Sequence, residues 1–165
     1  AQTDKDWIKP GGRAEREEMV RILVEDIGAS VKTLDMHDYS LLHYAAISGW
    51  EGTVGLLMDH GADPGQTCLT GETALHFAVA LGHGKAAEVL LKRCPALVNE
   101  GDKDGDRAIH VAVSNGDSEV VRLLVDNSAD INSSNYKKIT PLAVACKLQD
   151  WQMVNLLLDL KVSFA

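Results

Sequence analysis

The sequence has few aromatic residues, only 5% of the chain, and only four prolines and three cysteines. A core built from it must therefore consist mainly of small and aliphatic side chains. Basic residues are also scarce: 16 Lys and Arg stand against 24 Asp and Glu, a formal net charge of −8. This balance argues against nucleic acid or anionic lipid as a partner, because phosphate binding requires clustered Lys and Arg. No uncharged stretch approaches the length of a membrane span, and no basic-then-apolar leader opens the chain. We therefore expect no membrane insertion.

The cysteines are too few and too widely spaced for a disulfide framework or a zinc ribbon. Cys68, Cys94 and Cys146 are odd in number and form no CxxC pair. They predict free thiols in a reducing compartment, the cytoplasm or the nucleus. Cys146 falls on a small repeat position and is expected to be buried, whereas Cys68 falls in a loop and is expected to be the more accessible thiol.

What the sequence has in abundance is internal repetition. A seven-residue segment recurs at steps of 33, 34 and 33 residues, as SLLHYAA from Ser40, TALHFAV from Thr73, RAIHVAV from Arg107 and TPLAVAC from Thr140. A second apolar set recurs with the same steps, as Val54/Leu56/Leu57, Ala87/Val89/Leu90, Val121/Leu123/Leu124 and Val154/Leu156/Leu157. Two separate segments that share one period indicate a tandem array.

Each unit has the features of two short helices and a loop. A Ser or Thr hydroxyl can cap the first segment, and Pro141 suits the first helical position. Gly49, Gly82 and Gly116 then permit a left-handed turn, and the second segment has apolar residues at helical spacing. A unit this small cannot bury its own apolar stripe, so neighbouring units must stack.

These residues resemble the ankyrin repeat, whose pattern is Thr-Pro-Leu-His-x-Ala-Ala, a Gly at the inter-helix turn, and Gly-Ala-Asp after the second helix. The resemblance implies an all-α ankyrin-repeat solenoid of stacked helix-turn-helix-hairpin units in a single domain, 1–165. The expected repeats are 36–68, 69–102, 103–135 and 136–165, preceded by a degenerate or capping repeat at about 1–35. In that first unit Met19–Leu23 resembles a second helix, whereas Trp7–Gly12 does not match a first helix.

Departures from the family pattern mark places where the structure could differ. Asp38 and Lys138 stand where the family prefers Gly in the hairpin turn, and Arg107 replaces the capping Thr. The segment Cys94-Pro95-Ala96 replaces Gly-Ala-Asp, close to the extra residue of the 34-residue step. We expect a local rearrangement at that junction.

Several residue groups suggest chemistry that their context does not support. His43, His76 and His110 occur once per repeat, whereas a metal requires ligands that converge on one point; the resemblance implies a structural role for them. Asp102–Asp106 begins like a calcium loop, but Arg107 and Val113 occupy the places of its Gly and Glu. Gly82–Lys85 lacks the remaining residues of a phosphate loop. With no catalytic constellation in view, we expect no enzyme, no cofactor and no metal site.

Asn132 carries three interpretations that the sequence leaves open. Asn132-Ser133-Ser134 is a glycosylation sequon, which applies only to a secreted chain. The family resemblance suggests hydroxylation of Asn132 by an asparaginyl hydroxylase, since Leu124 lies eight residues upstream. Alternatively, Asn132 only shapes the turn.

The resemblance also implies where a partner binds: on the concave face of the first helices and on the loop tips. The concave residues are Tyr44, Ile47, Trp50, Phe77, Leu81, Val111 and Ser114, and the tip residues are Asp104, Asp106, Tyr136 and Lys137. Trp50 either anchors a partner or folds over a neighbouring turn.

These residues predict a non-catalytic adaptor or scaffold that binds a protein or peptide partner, as a monomeric module within a longer chain. The alternative is a regulatory or targeting segment of a larger enzyme, such as a ligase, lipase or kinase, or of an ion channel. An apolar C-terminal segment, Val154–Leu158 and Val162–Phe164, also indicates either a longer chain or an end that packs on something.

Overall fold

The computed structural model of the chain describes residues 12–163, and the regular secondary structure in this range is almost entirely helical. It contains nine α-helices: α1 (Arg13–Glu25), α2 (Leu41–Ile47), α3 (Glu51–Asp59), α4 (Ala74–Ala80), α5 (Gly84–Arg93), α6 (Ala108–Ser114), α7 (Ser118–Asp126), α8 (Pro141–Lys147) and α9 (Trp151–Ser163). A short 3₁₀ helix, Pro95–Asn99, follows α5.

The helices form two layers. The inner helices α2, α4, α6 and α8 pack on one another in chain order, and each packs on the outer helix that follows it. The outer helices α1, α3, α5, α7 and α9 form the second layer. The expectation of an all-α repeat solenoid is confirmed.

The inner helices are short because the sequence both starts and stops them. The Ser40 and Thr140 hydroxyls accept a hydrogen bond from the backbone N–H of the third helical residue, His43 and Ala143 respectively. The glycine at each of the first three inter-helix turns has positive φ: 67° at Gly49, 72° at Gly82 and 69° at Gly116. Seven helical residues span only about 10 Å, so each inner helix presents barely two turns to its neighbours.

A tight hairpin precedes each inner helix. It is closed by a backbone hydrogen bond across five residues, from Asp35 to Tyr39, Cys68 to Glu72, Asp102 to Asp106 and Asn135 to Ile139, at 2.9–3.0 Å. Gly71 and Gly105 have φ of 84° and 77° in these turns. Asp38 and Lys138 adopt the same left-handed conformation, with φ of 61° and 59°. Loss of the family's glycine therefore leaves the hairpin intact, at a backbone cost of about 1–2 kcal/mol per residue.

The junction after α5 is rearranged, as the sequence predicts. Cys94 follows α5 with non-helical backbone angles, φ −139° and ψ 81°, and Pro95 starts the 3₁₀ helix. Leu97 and Val98 from this turn are buried in the core. Asn99 then bonds to the next repeat: its side-chain amide donates to the Ser128 carbonyl and its oxygen accepts from the Asp130 N–H.

The first described helix, α1, occupies an outer position and packs on α3. Val24 is buried against the core, whereas Met19, Ile22 and Leu23 are 64%, 43% and 42% exposed. Trp7 and its neighbours through Gly11, which do not match the family pattern, lie outside the described residues.

The structure reverses the expected accessibility of two cysteines. Cys68 is buried, because its hairpin folds over it and its Sγ lies 3.0 Å from the Thr70 hydroxyl. Cys146 is exposed. The equivalent residues Ala46, Val79 and Val113 are buried by the following repeat, and no described residue covers Cys146 in that way. The sequence predictions for both cysteines were therefore wrong, each for its own reason.

Candidate partner-binding surface

One histidine connects each of the last three hairpins to the inner helix of the preceding repeat. His43, His76 and His110 are buried at the third position of α2, α4 and α6. The Nδ1 atom of each accepts the backbone N–H three residues earlier, at 3.0–3.2 Å. A nitrogen that accepts an N–H carries no proton, so the imidazole is the neutral Nε2–H tautomer.

The Nε2–H of each histidine bonds the next hairpin. It donates to the carbonyl oxygens of Glu72, Asp106 and Ile139 at 3.1–3.2 Å. Burial lowers the pKa of His43 and of His76. All six ring nitrogens are thus engaged within the scaffold, which accounts for these histidines without a metal.

Backbone hydrogen bonds also join the hairpins to one another. The N–H groups of Leu69, Lys103 and Tyr136 donate to the carbonyls of His37, Thr70 and Asp104, at 3.0–3.1 Å. Hairpins and inner helices therefore form one continuous rigid surface, which we call the inner face. Rigid elements of this kind present side chains to a partner at low entropic cost.

Side chains at three recurring positions of the inner helices line the inner face. They are Tyr44, Phe77, Val111 and Val144; Ile47, Ala80, Ser114 and Lys147; and Ser48, Leu81, Asn115 and Leu148. Tyr44, Leu81 and Leu148 are 49%, 52% and 51% exposed. Of the seven concave residues that the sequence predicts, all except Trp50 belong to these rows. Val144, Lys147 and Leu148 were missed, although continuing the register into the fourth repeat would have found them.

The N-terminal half of the inner face is aromatic. Tyr39 packs against Tyr44, Phe77 and His43 with ring centroids 5.3–5.7 Å apart. The Tyr44 hydroxyl donates to Asp35 Oδ2 at 2.5 Å, and this bond lowers the pKa of the Asp35 carboxyl. Tyr39 was not nominated from the sequence, because it lies in a hairpin that differs from one repeat to the next.

The C-terminal half of the inner face contains a cavity of about 340 Å³ between the last hairpin, α6 and α8. It brings together four nominated residues, Asp106, Val111, Ser114 and Lys137. Asp104 and Tyr136 lie on the adjoining tips, where Lys137 Nζ is 3.2 Å from Asp104 Oδ1 and Tyr136 is 79% exposed.

Trp50 does not lie in these rows. It is the residue that precedes α3, at the end of α2 remote from the hairpin, and its side chain is half-buried. Of the two interpretations of Trp50, partial burial favours packing over a neighbouring turn, and a contact with a partner stays a prediction. Residues at the same repeat position have structural roles: His83 Nε2 lies 3.0 Å from the Ile47 carbonyl, and Asp117 caps α7.

Asn132 lies in the exposed turn after α7. Its N–H donates to Asp130 Oδ1 at 3.1 Å, and its side chain is exposed. Leu124, eight residues upstream, is completely buried. This geometry leaves the three interpretations of Asn132 standing.

None of the helices formed by residues 12–163 is both long and apolar enough to cross a membrane. A family model described as "Ankyrin repeats (3 copies)" matches residues 13–102 and 91–164. A Caenorhabditis elegans homolog of transient receptor potential cation channel subfamily A member 1 is 34% identical over 76% of this chain and 10% of the channel protein. The NF-kappa-B p105 subunit of Gallus gallus is 31% identical over 74% of this chain and 13% of its own length.

The NF-kappa-B inhibitor cactus of Drosophila melanogaster is 32% identical over 80% of this chain and 26% of its own length. The chain therefore spans about a quarter or less of each of these relatives. The family match extends across nearly all of the described residues. It agrees with the hairpins, the capped inner helices and the hydrogen bonds that His43, His76 and His110 make to the next hairpins. The chain belongs to the ankyrin-repeat family.

Proposed function

We propose that this chain is a non-catalytic protein-interaction module that binds a protein or peptide along the inner face and the hairpin tips. Ankyrin repeats are generally protein–protein interaction modules. The observation that carries the proposal is that apolar side chains on the inner face, Tyr44, Leu81 and Leu148, are half-exposed. Exposed apolar and aromatic groups on a preorganised surface are typical of protein interfaces.

A matched pair of leucine substitutions tests the proposal. Leu81 is 52% exposed on the inner face, and Leu158 is 44% exposed on the outer helix α9. We expect Leu81→Ser to lose proteins that the immobilised wild type captures from a cell extract, identified by mass spectrometry, and Leu158→Ser to retain them. Urea unfolding of both variants controls for folding. Retention by Leu81→Ser would exclude this part of the inner face.

A second candidate is a regulatory or targeting segment of a larger enzyme or ion channel. It is supported by the similarity to a channel relative of which the chain spans 10%. The full-length transcript tests it, because a catalytic or membrane domain beside this segment supports the second candidate and further repeats alone support an adaptor.

Three further properties belong to the same proposal. The module is monomeric, it works in the cytoplasm or nucleus as its free thiols suggest, and its partner is not nucleic acid because the net charge is −8. Hydroxylation of Asn132 is tested by a mass increase of one oxygen atom on the peptide that contains it.

A further inference from the structure

The cavity in the C-terminal half of the inner face, called the C-terminal cavity below, has an aliphatic floor. Val111, Val144 and Leu148 line its helix side, and Ile139 lines its hairpin side. Leu148 is 51% exposed, so the floor is open to a ligand. Removing an aliphatic side chain of a partner from water onto this floor would stabilise a complex.

The walls of the C-terminal cavity differ in charge. Lys147 ends α8 on the helix side, and no ion pair joins it to another of the residues that the structure describes. On the hairpin side Lys137 pairs with Asp104. Asp106 Oδ1 accepts a hydrogen bond from the Asn135 amide at 2.8 Å. Lys147 on the helix wall is therefore available to a carboxylate of a partner. The Asp106 carboxylate on the hairpin wall is available to a backbone N–H of a partner.

The other end of the inner face lacks this combination. The positions equivalent to Val144 and Lys147 are Tyr44 and Ile47 in the first complete repeat. There an acidic group, Asp35, is already bonded to the Tyr44 hydroxyl. The inner face therefore changes along the stack from aromatic to aliphatic and cationic, which gives an extended ligand a defined direction.

We propose, resting on the function proposed above, that the C-terminal cavity binds an extended peptide segment of a protein partner with an aliphatic residue beside an acidic one. The aliphatic side chain lies on Val111, Val144 and Leu148. The carboxylate pairs with Lys147, and a peptide N–H donates to Asp106. A basic peptide is disfavoured, because it would bring a second cation against Lys147.

Fluorescence anisotropy with three short fluorescein-labelled peptides tests this assignment. One alternates leucine and glutamate, the second leucine and lysine, and the third serine and glutamate. We expect the leucine–glutamate peptide to bind at least about tenfold more tightly than either of the others. Its affinity should fall as salt rises, because the Lys147 contact is exposed and screened.

Two lysines of the chain provide a matched charge reversal. Lys147→Glu should weaken the leucine–glutamate peptide about tenfold, because an attraction becomes a repulsion. Lys85→Glu makes the same charge change on the outer helix α5, where Lys85 is exposed, and should leave the affinity within about twofold. Leu148→Ser should weaken this peptide while leaving that salt dependence unchanged, and thermal unfolding confirms that each variant is folded.

Three results would overturn the inference: no peptide binds, the leucine–lysine peptide binds as tightly, or a folded Lys147→Glu retains full affinity. The proposed function is judged separately by Leu81→Ser. If Leu81→Ser loses captured proteins while Lys147→Glu has no effect on the peptide, the inner face binds a partner but the C-terminal cavity does not select an acidic one.

Discussion

The middle of the stack and its two ends contain the same kind of apolar repeat helix, yet apolar side chains are buried in the middle and often exposed at the ends. In the middle, Leu75, Ala78, Leu90 and Ile109 are completely buried. At the N-terminal end of the described stack Met19 is 64% exposed, and at the other end Trp151 is 65% exposed. Apolar character alone therefore does not decide burial in this fold.

The difference follows from the geometry of a solenoid. Each repeat contacts only its neighbours, so a side chain is buried when a repeat stands on both sides of it. Ala46, Val79 and Val113 are buried, whereas Cys146 at the equivalent position is exposed. Stability should accordingly be concentrated in the middle, and substitutions at matched positions measure how strongly.

The largest expected effect is the truncation of a central leucine. Leu90 in α5 is completely buried and Leu23 in α1 is 42% exposed, and both are on outer helices. Leu90→Ala should lower the free energy of unfolding by about 2–5 kcal/mol, because it removes buried methyl groups and leaves a cavity. Leu23→Ala should cost less than about 1 kcal/mol. Equal losses in urea unfolding would contradict the comparison.

Two glycines with left-handed backbone compare the N-terminal end of the stack with a central hairpin. Gly71 and Gly28 have φ of 84° and 72°, but a Cβ on Gly71 would lie 2.7 Å from the backbone nitrogen of Lys103, whereas one on Gly28 would meet nothing within 4 Å. Gly28→Ala should cost only the left-handed strain of about 1–2 kcal/mol. Gly71→Ala should cost at least about 1 kcal/mol more, because the Lys103-to-Thr70 hairpin contact must shift.

Denaturant titration of both glycine variants gives the difference directly. Urea unfolding that found Gly28→Ala as damaging as Gly71→Ala would show that the hairpin contact is compliant. Hydrogen exchange at the Lys103 amide provides a local readout, since this N–H should lose protection in Gly71→Ala only.

The repeat pattern in the sequence was sufficient to predict the fold, but not the differences in burial between the middle and the ends of the stack. The matching steps at Thr73, Arg107 and Thr140 predicted the inner helices. The family resemblance implied a structural role for His43, His76 and His110, and their hydrogen bonds to the next hairpins agree with it. A repeat pattern assigns every residue at one position the same environment. It therefore mispredicted Cys146, whose environment depends on a neighbour rather than on its own repeat.

The candidate surface was predictable where it follows the helix register and unpredictable where it depends on a hairpin. Tyr44, Phe77 and Val111 were found because the register repeats. Tyr39 was missed because its ring reaches Phe77 in the next repeat, at 5.3 Å, and no pattern within one unit reveals that contact. The burial of Trp50 could not be predicted from its position in the repeat, because it depends on how the turn before α3 folds.

A smaller effect is expected from pH, and it concerns the buried histidines His43 and His76. Burial lowers the pKa of His76 in the folded state, so the unfolded chain binds a proton more readily. Stability is then complete above the unfolded value, about 6.5, and declines as the pH falls toward the lowered folded pKa. The slope is at most about 1.4 kcal/mol per pH unit for each of these two histidines.

Urea unfolding between pH 7.5 and about 5.5 measures this slope, above the range in which the carboxylates titrate. His76→Gln should be less stable than the wild type at pH 7.5, since the amide cannot reproduce both hydrogen bonds, and its stability should vary less with pH. If His76→Gln leaves the slope of unfolding free energy against pH unchanged, His76 does not contribute to the pH dependence.

The smallest expected effect is at Cys146, where the end of the described stack is most informative. Cys146→Ser should change the free energy of unfolding by less than about 0.5 kcal/mol, because the side chain is already exposed. Val113→Ser at the equivalent central position should cost several times more, because Val113 is completely buried and its hydroxyl replacement would lack a partner. In the native wild type a thiol reagent should modify Cys146 first and Cys68 only on unfolding. If Cys146 is instead protected in a longer chain that contains this segment, its neighbour is a stacked element, and the middle of the stack extends beyond α9.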